Sequence, residues 1–153
     1  MNFYRFLKFL HVASVVLWVG GAFTMTALVS SVTRARDRAL MHALIGHVAR
    51  LAGRVMGPAS GLTLLSGLAM LFVVGLSPAT FWVQWGLAGI LVHFVLGGWF
   101  VRRATERLGS LTASADAADG AIRAARRKLV LLNGAYLAVM LSVVAAMTIK
   151  PGP

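Results

Sequence analysis

The chain contains no cysteine, and only four acidic residues and four prolines occur in its 153 positions. Without cysteine it has no disulfide scaffold, no thiolate metal site and no Cys nucleophile. The acids are Asp37, Glu106, Asp116 and Asp119, and all lie outside the long apolar runs. No carboxylate is therefore available at depth for a proton relay, cation antiport or a Ser-His-Asp arrangement. No phosphate-cradling glycine loop precedes a polar helix either. Charge of any sign is scarce, at 12% of residues against roughly 25% in an ordinary soluble domain.

Apolar residues are abundant. They make up 59% of the chain, with a mean hydropathy of +0.82, more than one soluble core of this length can bury. Phe9 to Thr33 is a run of 25 residues without formal charge, Val55 to Val101 one of 47, and Leu129 to Ile149 one of 21. A helix crosses ~30 Å of hydrocarbon with about 20 apolar residues. The longest run is thus two helices, divided at Gly75-Leu76-Ser77-Pro78. The expected spans are 6–32, 55–76, 81–101 and 129–149, joined by loops 33–54 and 102–128 and by a short turn. The first run exceeds the apolar core of about 7–15 residues in a cleaved signal peptide, so it reads as a retained span. The fold expected for residues 1–153 is all-α: a single-domain, up-down four-helix integral membrane bundle, with helices crossing at about 20°.

The net charge of +11 is unevenly spread. Arg34, Arg36, Arg38, Arg50 and Arg54 lie in the first loop. Arg102, Arg103, Arg107, Arg123, Arg126, Arg127 and Lys128 lie in the second. Only Arg5, Lys8 and Lys150 fall toward the opposite side. By the positive-inside rule both loops are cytoplasmic and both termini face outward. This points to the bacterial inner membrane, with lipid headgroups rather than nucleic acid as the partners of the basic residues. Phe3, Tyr4 and Phe6, with Phe81, Trp82 and Trp85, mark the outer boundary as an aromatic belt. Residues 39–54 read as a helical lead-in to the second span, and 109–120 as a linker or loosely held helix.

Inside the bundle, helices associate through small residues that let backbones approach. Gly53, Gly57, Ser60, Gly61, Leu64 and Gly67 form such a stripe on the second span and predict close helix packing. Pro58 is expected to kink that helix and to free a carbonyl near residue 54. On the third span Gly86, Gly89, His93 and Gly97 share one face, leaving space beside the imidazole for either a neighbouring helix or a flat ligand. His11 shares its face with Lys8, Ser14, Trp18, Gly21 and Met25, while Asn133, Tyr136, Met140, Val143, Met147 and Lys150 form a comparable face on the fourth span. Imidazole is a common haem and metal ligand, and an intramembrane ionisable group is a functional candidate. His11 and His93 are also open to the reading of plain packing residues, and Met140 and Met147 to that of adaptable filler. His42 and His47, beside Arg50, read as solvated. Counted at ~1.5 Å per residue, His11 lies about 10 Å inside Tyr4, and His93 about 12 Å inside Trp85 or about 18 Å inside Phe81. Only the shallower count for His93 suits shared ligation of one iron.

Lys8-Phe9-Leu10-His11, the following Trp18-Val19-Gly20-Gly21, the Gly57-Pro58 to Gly67 segment and the terminal Lys150-Pro151-Gly152 resemble a group of small bacterial four-helix membrane proteins. That group includes the HemJ-type protoporphyrinogen oxidase and the membrane domain of the copper-resistance protein CopD. The similarity covers nearly the whole chain and rests on short motifs and hydropathy. It implies His11 as a haem b ligand and Lys150 as an outer-edge partner, for example for a propionate. The chain departs from HemJ at Phe23-Thr24-Met25-Thr26, where HemJ has a Pro-Arg-Leu-type segment, and at Asn133-Gly134, where HemJ has Asn-Glu.

Three functions are compatible with these residues. The first is a haem b protein of membrane electron transfer, including a haem-dependent oxidoreductase acting on a quinone or porphyrin. Its cofactor site would draw on His11, His93, Lys150, Trp18, Gly86, Gly89 and Met147, with His11 and His93 on the iron. The second is copper handling along His11, His93, Met140 and Met147, since imidazole and thioether suit copper. The third is a non-enzymatic membrane subunit or assembly factor, packed through its glycines against a protein partner or a second copy.

Overall fold

The computed structural model describes residues 2–34 and 37–150. Arg36 of the first basic segment and Pro151 and Gly152 of the terminal motif lie outside the described residues. The described chain is all-helical: α1 (Phe3–Arg34), α2 (Arg38–Leu51), α3 (Gly57–Val74), α4 (Phe81–Val95), α5 (Arg102–Ala113) and α6 (Asp119–Ile149). A π-turn at Ala52–Met56 splices α2 to α3, and another at Leu96–Val101 splices α4 to α5. Four rods result, each long and apolar enough to cross a membrane: Phe3–Val32, Arg38–Val74, Phe81–Ala113 and Asp119–Ile149.

Local chemistry explains the boundaries. Asp37 caps α2, its carboxylate accepting the Leu40 N–H at 2.9 Å. Gly75 ends α3 in the left-handed region at φ +67°, where a side chain would be strained. The predicted Gly75–Pro78 turn therefore stands where the sequence places it. Pro58 has no N–H to give the Arg54 carbonyl. Just ahead of it the helix widens, and the Gly57 N–H bonds the Ala52 carbonyl five residues back. The expected distortion at Pro58 is thus a π-turn.

The rods run well past the predicted spans on the basic side. Thirty-seven residues in the second rod rise about 55 Å, against ~30 Å of hydrocarbon. The lead-in read over 39–54 is helical, as α2 and its π-turn, and segment 102–128 is mostly helix as well. Of 109–120, read as a linker or a loosely held helix, α5 takes the part up to Ala113 and a short connection the part before Asp119. Amphipathic burial holds these extensions. Met41, Ile45 and Val48 of α2 pack with Ala104 and Leu108 of α5, Ile122 and Leu129 of α6, and Val29 and Val32 of α1. Arg38 secures the corner by donating to the carbonyls of Leu111, Ser114 and Ala117 at the end of α5.

Within the apolar length α1 packs on α3 and on α6, and α4 on α6, whereas α3 and α4 meet little beyond their shared turn. The polarity is inside-out for water: Ser14, Ser60, Thr63 and Ser66 are buried, while Phe9, Phe23, Leu65, Phe72 and Leu91 are exposed. In hydrocarbon that arrangement is favourable, because lipid accepts the apolar exterior and the hydroxyls find partners inside.

Candidate functional site

The first polar centre lies in the seam between α1 and α3. The His11 Nδ1 stands 3.0 Å from the Thr63 carbonyl oxygen and 3.2 Å from Ser66 Oγ. A carbonyl only accepts, so Nδ1 carries the hydrogen and donates it. The neutral imidazole then keeps its Nε2 lone pair, which has no hydrogen-bond partner among the described residues. A metal-ligating histidine is commonly held this way, one nitrogen anchored to a carbonyl and the other free for the metal. Ser14 extends the network, donating to the His11 carbonyl at 2.8 Å and lying 2.9 Å from Thr63 Oγ1. The Cε1–Nδ1 edge of the ring faces Gly67, where a Cβ would stand 3.1 Å from His11 Cε1 and 3.4 Å from Nδ1.

The second centre lies deeper, where α1, α4 and α6 meet. The buried His93 ring has Trp18 edge-on at a centroid distance of 4.4 Å, Tyr136 at 4.9 Å and Phe94 at 5.4 Å. Trp18 Nε1–H donates to the Tyr136 hydroxyl oxygen at 3.3 Å, and that hydroxyl stands 3.5 Å from His93 Nε2. With the Tyr136 proton turned to Nε2, the remaining imidazole proton sits on Nδ1. That atom is buried without a hydrogen-bond partner. Tyr136→Phe would leave Trp18 and His93 both short of a partner, a loss of about 1–3 kcal/mol. The expected result is a lower unfolding midpoint in detergent with unchanged helical circular dichroism.

The two histidines are not brought together. His11 turns toward α3, whereas Trp18, which shares its sequence face, reaches His93 and Tyr136. The cause is the central place of α1, whose inward face is divided between two seams.

The glycine face of the third rod is filled by its neighbour. A Cβ at Gly86 would overlap Met147 Cε, one at Gly89 would overlap Val143 Cγ2, and one at Gly97 would stand 2.9 Å from Tyr136 Cε2. Of the two occupants the sequence left open, the space beside His93 holds a helix, and Gly86, Gly89 and Met147 pack there. Lys150 follows α6 with its ammonium 5.2 Å from the Trp82 ring centroid, a cation–π contact at the end of the bundle where α4 begins. Gly53, Gly57 and Gly61 meet nothing within 4 Å, contrary to the packing stripe expected of them. The π-turn separates Gly53 from the two later glycines. Ser60, Thr63 and Ser66 are the buried α3 residues on the side toward α1. Thr63 and Ser66 escaped the sequence reading, although hydroxyls at three-residue spacing in an apolar run were the signal. No group of three or more His, Asp or Glu able to hold a metal occurs among the described residues.

No curated protein and no solved structure matches this chain. One family model does, over residues 5–151, and its description is "Predicted integral membrane protein (DUF2269)". With nearly the whole chain covered and four apolar rods in place, this multi-pass protein belongs to the DUF2269 family of predicted integral membrane proteins.

Proposed function

We propose that this protein spans the bacterial inner membrane with both termini outward, binds haem b at His11 and serves membrane electron transfer. The carrying observation is the state of His11: its Nδ1–H is committed to the Thr63 carbonyl, so Nε2 is the ligating atom. Haem b, when bound, supplies a one-electron couple whose potential depends on axial ligand and burial. The chain's own part is to fix the imidazole tautomer through Thr63 and Ser66. It also sets the Cε1–Nδ1 edge of the ring against Gly67 and excludes water with the apolar exterior of α1 and α3. The donor set at His11 suits the group. The glycine face beside His93 does not, because Met147, Val143 and Tyr136 already occupy it.

The test is an absorption spectrum of the detergent-purified protein, oxidised and dithionite-reduced, with a pyridine haemochrome assay. A Soret band with sharpened reduced bands, at about one haem per chain, is the expected result. A featureless spectrum after expression with ample haem would end this reading. A second reading rests on Gly57 and Gly61, four residues apart on α3 with nothing within 4 Å of either, which suits a membrane subunit packed against a partner helix. Its sign would be a stable protein partner in a cofactor-free preparation.

A further inference from the structure

We infer that the groove between α2 and α6 on the basic side is a binding site for a phospholipid with an anionic headgroup. The groove encloses about 920 Å³ and is walled by Arg38, Arg123, Arg126 and Arg127 at its polar end, with Val130 and Leu131 among its apolar walls. Asp119 also lines it, but it neutralises none of the arginines at close range. Among the described residues the one ion pair is Arg102–Glu106, on α5. Arg38 spends one guanidinium nitrogen on the backbone carbonyls of Leu111, Ser114 and Ala117, and its Nε is buried with no hydrogen-bond partner. A cluster of forked donors without carboxylates to meet them is matched by phosphate, which guanidinium binds in a two-pronged fashion.

Depth selects a lipid over a free anion. Arg126, Arg127 and Lys128 are the last charges before the apolar run Leu129–Ile149. Val130 is 39% and Leu131 63% exposed, so the groove continues from the arginines onto bare aliphatic wall. Arg123 to Leu131 spans about 12 Å of helix rise, enough to pass from headgroup depth into hydrocarbon. A phosphodiester at the arginines would lay its acyl chain along Val130 and Leu131. Basic pockets at this depth are known to favour anionic headgroups. Inorganic phosphate would use only half of the groove.

The experiment follows the unfolding midpoint of the full chain in mixed micelles as dioleoyl-phosphatidylglycerol or dioleoyl-phosphatidylcholine is added. Parallel samples receive inorganic phosphate. The expected result is a saturable rise with phosphatidylglycerol alone. Arg123→Gln/Arg127→Gln should raise the half-saturating lipid fraction about tenfold or more. Arg103→Gln/Arg107→Gln, an equal charge loss outside the groove, should leave it unchanged. Should the groove double variant not fold, Arg123→Gln alone serves, since this exposed side chain makes no hydrogen bond among the described residues. Equal loss in groove and control variants would overturn the site. So would an equal rise with phosphatidylcholine, and a full rise with inorganic phosphate would make it a free-anion site instead.

Discussion

Gly89→Ala is expected to keep α4 from docking on α6 and to lower the unfolding midpoint sharply, with loss of a monodisperse species in detergent. A Cβ there would overlap Val143 Cγ2 and lie 3.5 Å from the Val143 Cβ. Valine in a helix has little χ1 freedom, so it cannot swing aside, and the two helices must part. Overpacking of this kind costs about 1–3 kcal/mol. In hydrocarbon no hydrophobic force compensates, because lipid covers the parted surfaces as well as protein does. Gly86→Ala should cost less, since the atom it meets is the flexible end of Met147. Gly61→Ala, with nothing within 4 Å, should be neutral or stabilising by up to ~1 kcal/mol. Val143→Ala removes the obstructing methyl, so the double variant Gly89→Ala/Val143→Ala should recover part of the loss. A Gly89→Ala protein as stable as Gly61→Ala would refute the α4–α6 contact.

The spans were legible because charge is so scarce that each run stands out, and the Gly75–Pro78 turn divides the longest of them. Of the basic-side helices, α2 was legible as a lead-in over 39–54, and α5 was less so. Ala104, Thr105, Leu108 and Thr112 are buried at helical spacing along α5. Small and hydroxyl side chains carry little hydropathic signal, and Gly109, Ser110 and Asp116 suggested a linker. Site residues were legible as types but not as neighbours. Helical periodicity places His11 and Trp18 on one face, yet it does not reveal that this face meets two different helices. The same holds for Gly86 and Gly89: a small-residue face announces a close approach, and only the packed chain shows that Met147 and Val143 make it. At Gly53, Gly57 and Gly61 the four-residue spacing misleads. The π-turn at Ala52–Met56 adds a residue to one turn and so rotates the later residues of the rod by about 100°.

His11→Ala and His93→Leu should part company. Loss of the only imidazole whose second nitrogen is anchored to a carbonyl among the described intramembrane residues, His11→Ala, is expected to abolish haem retention, leaving no Soret band at normal expression. Ser66→Ala, which removes the flanking hydroxyl while the Thr63 carbonyl stays, should weaken retention about 10–100-fold, as outer-shell changes do. His93→Leu should leave the spectrum intact. Its ring is enclosed by Trp18, Phe94 and Tyr136, and a macrocycle could reach it only by displacing them. The same substitution removes a buried nitrogen that has no partner, but it also takes from the buried Tyr136 hydroxyl the Nε2 that accepts its proton. The unfolding midpoint should therefore fall, by about 1–3 kcal/mol of stability for the donor left unpaired. Haem counts per chain, paired with unfolding midpoints, separate the two roles. Retention lost in His93→Leu but kept in His11→Ala would transfer the ligand to the deeper centre and require the Trp18–Tyr136 enclosure to open. Retention unchanged in both would remove histidine ligation within the membrane altogether. The contrast is sharp because the two imidazoles differ in one respect that chemistry can read: His11 has its spare lone pair free, and His93 has its own turned to a tyrosine.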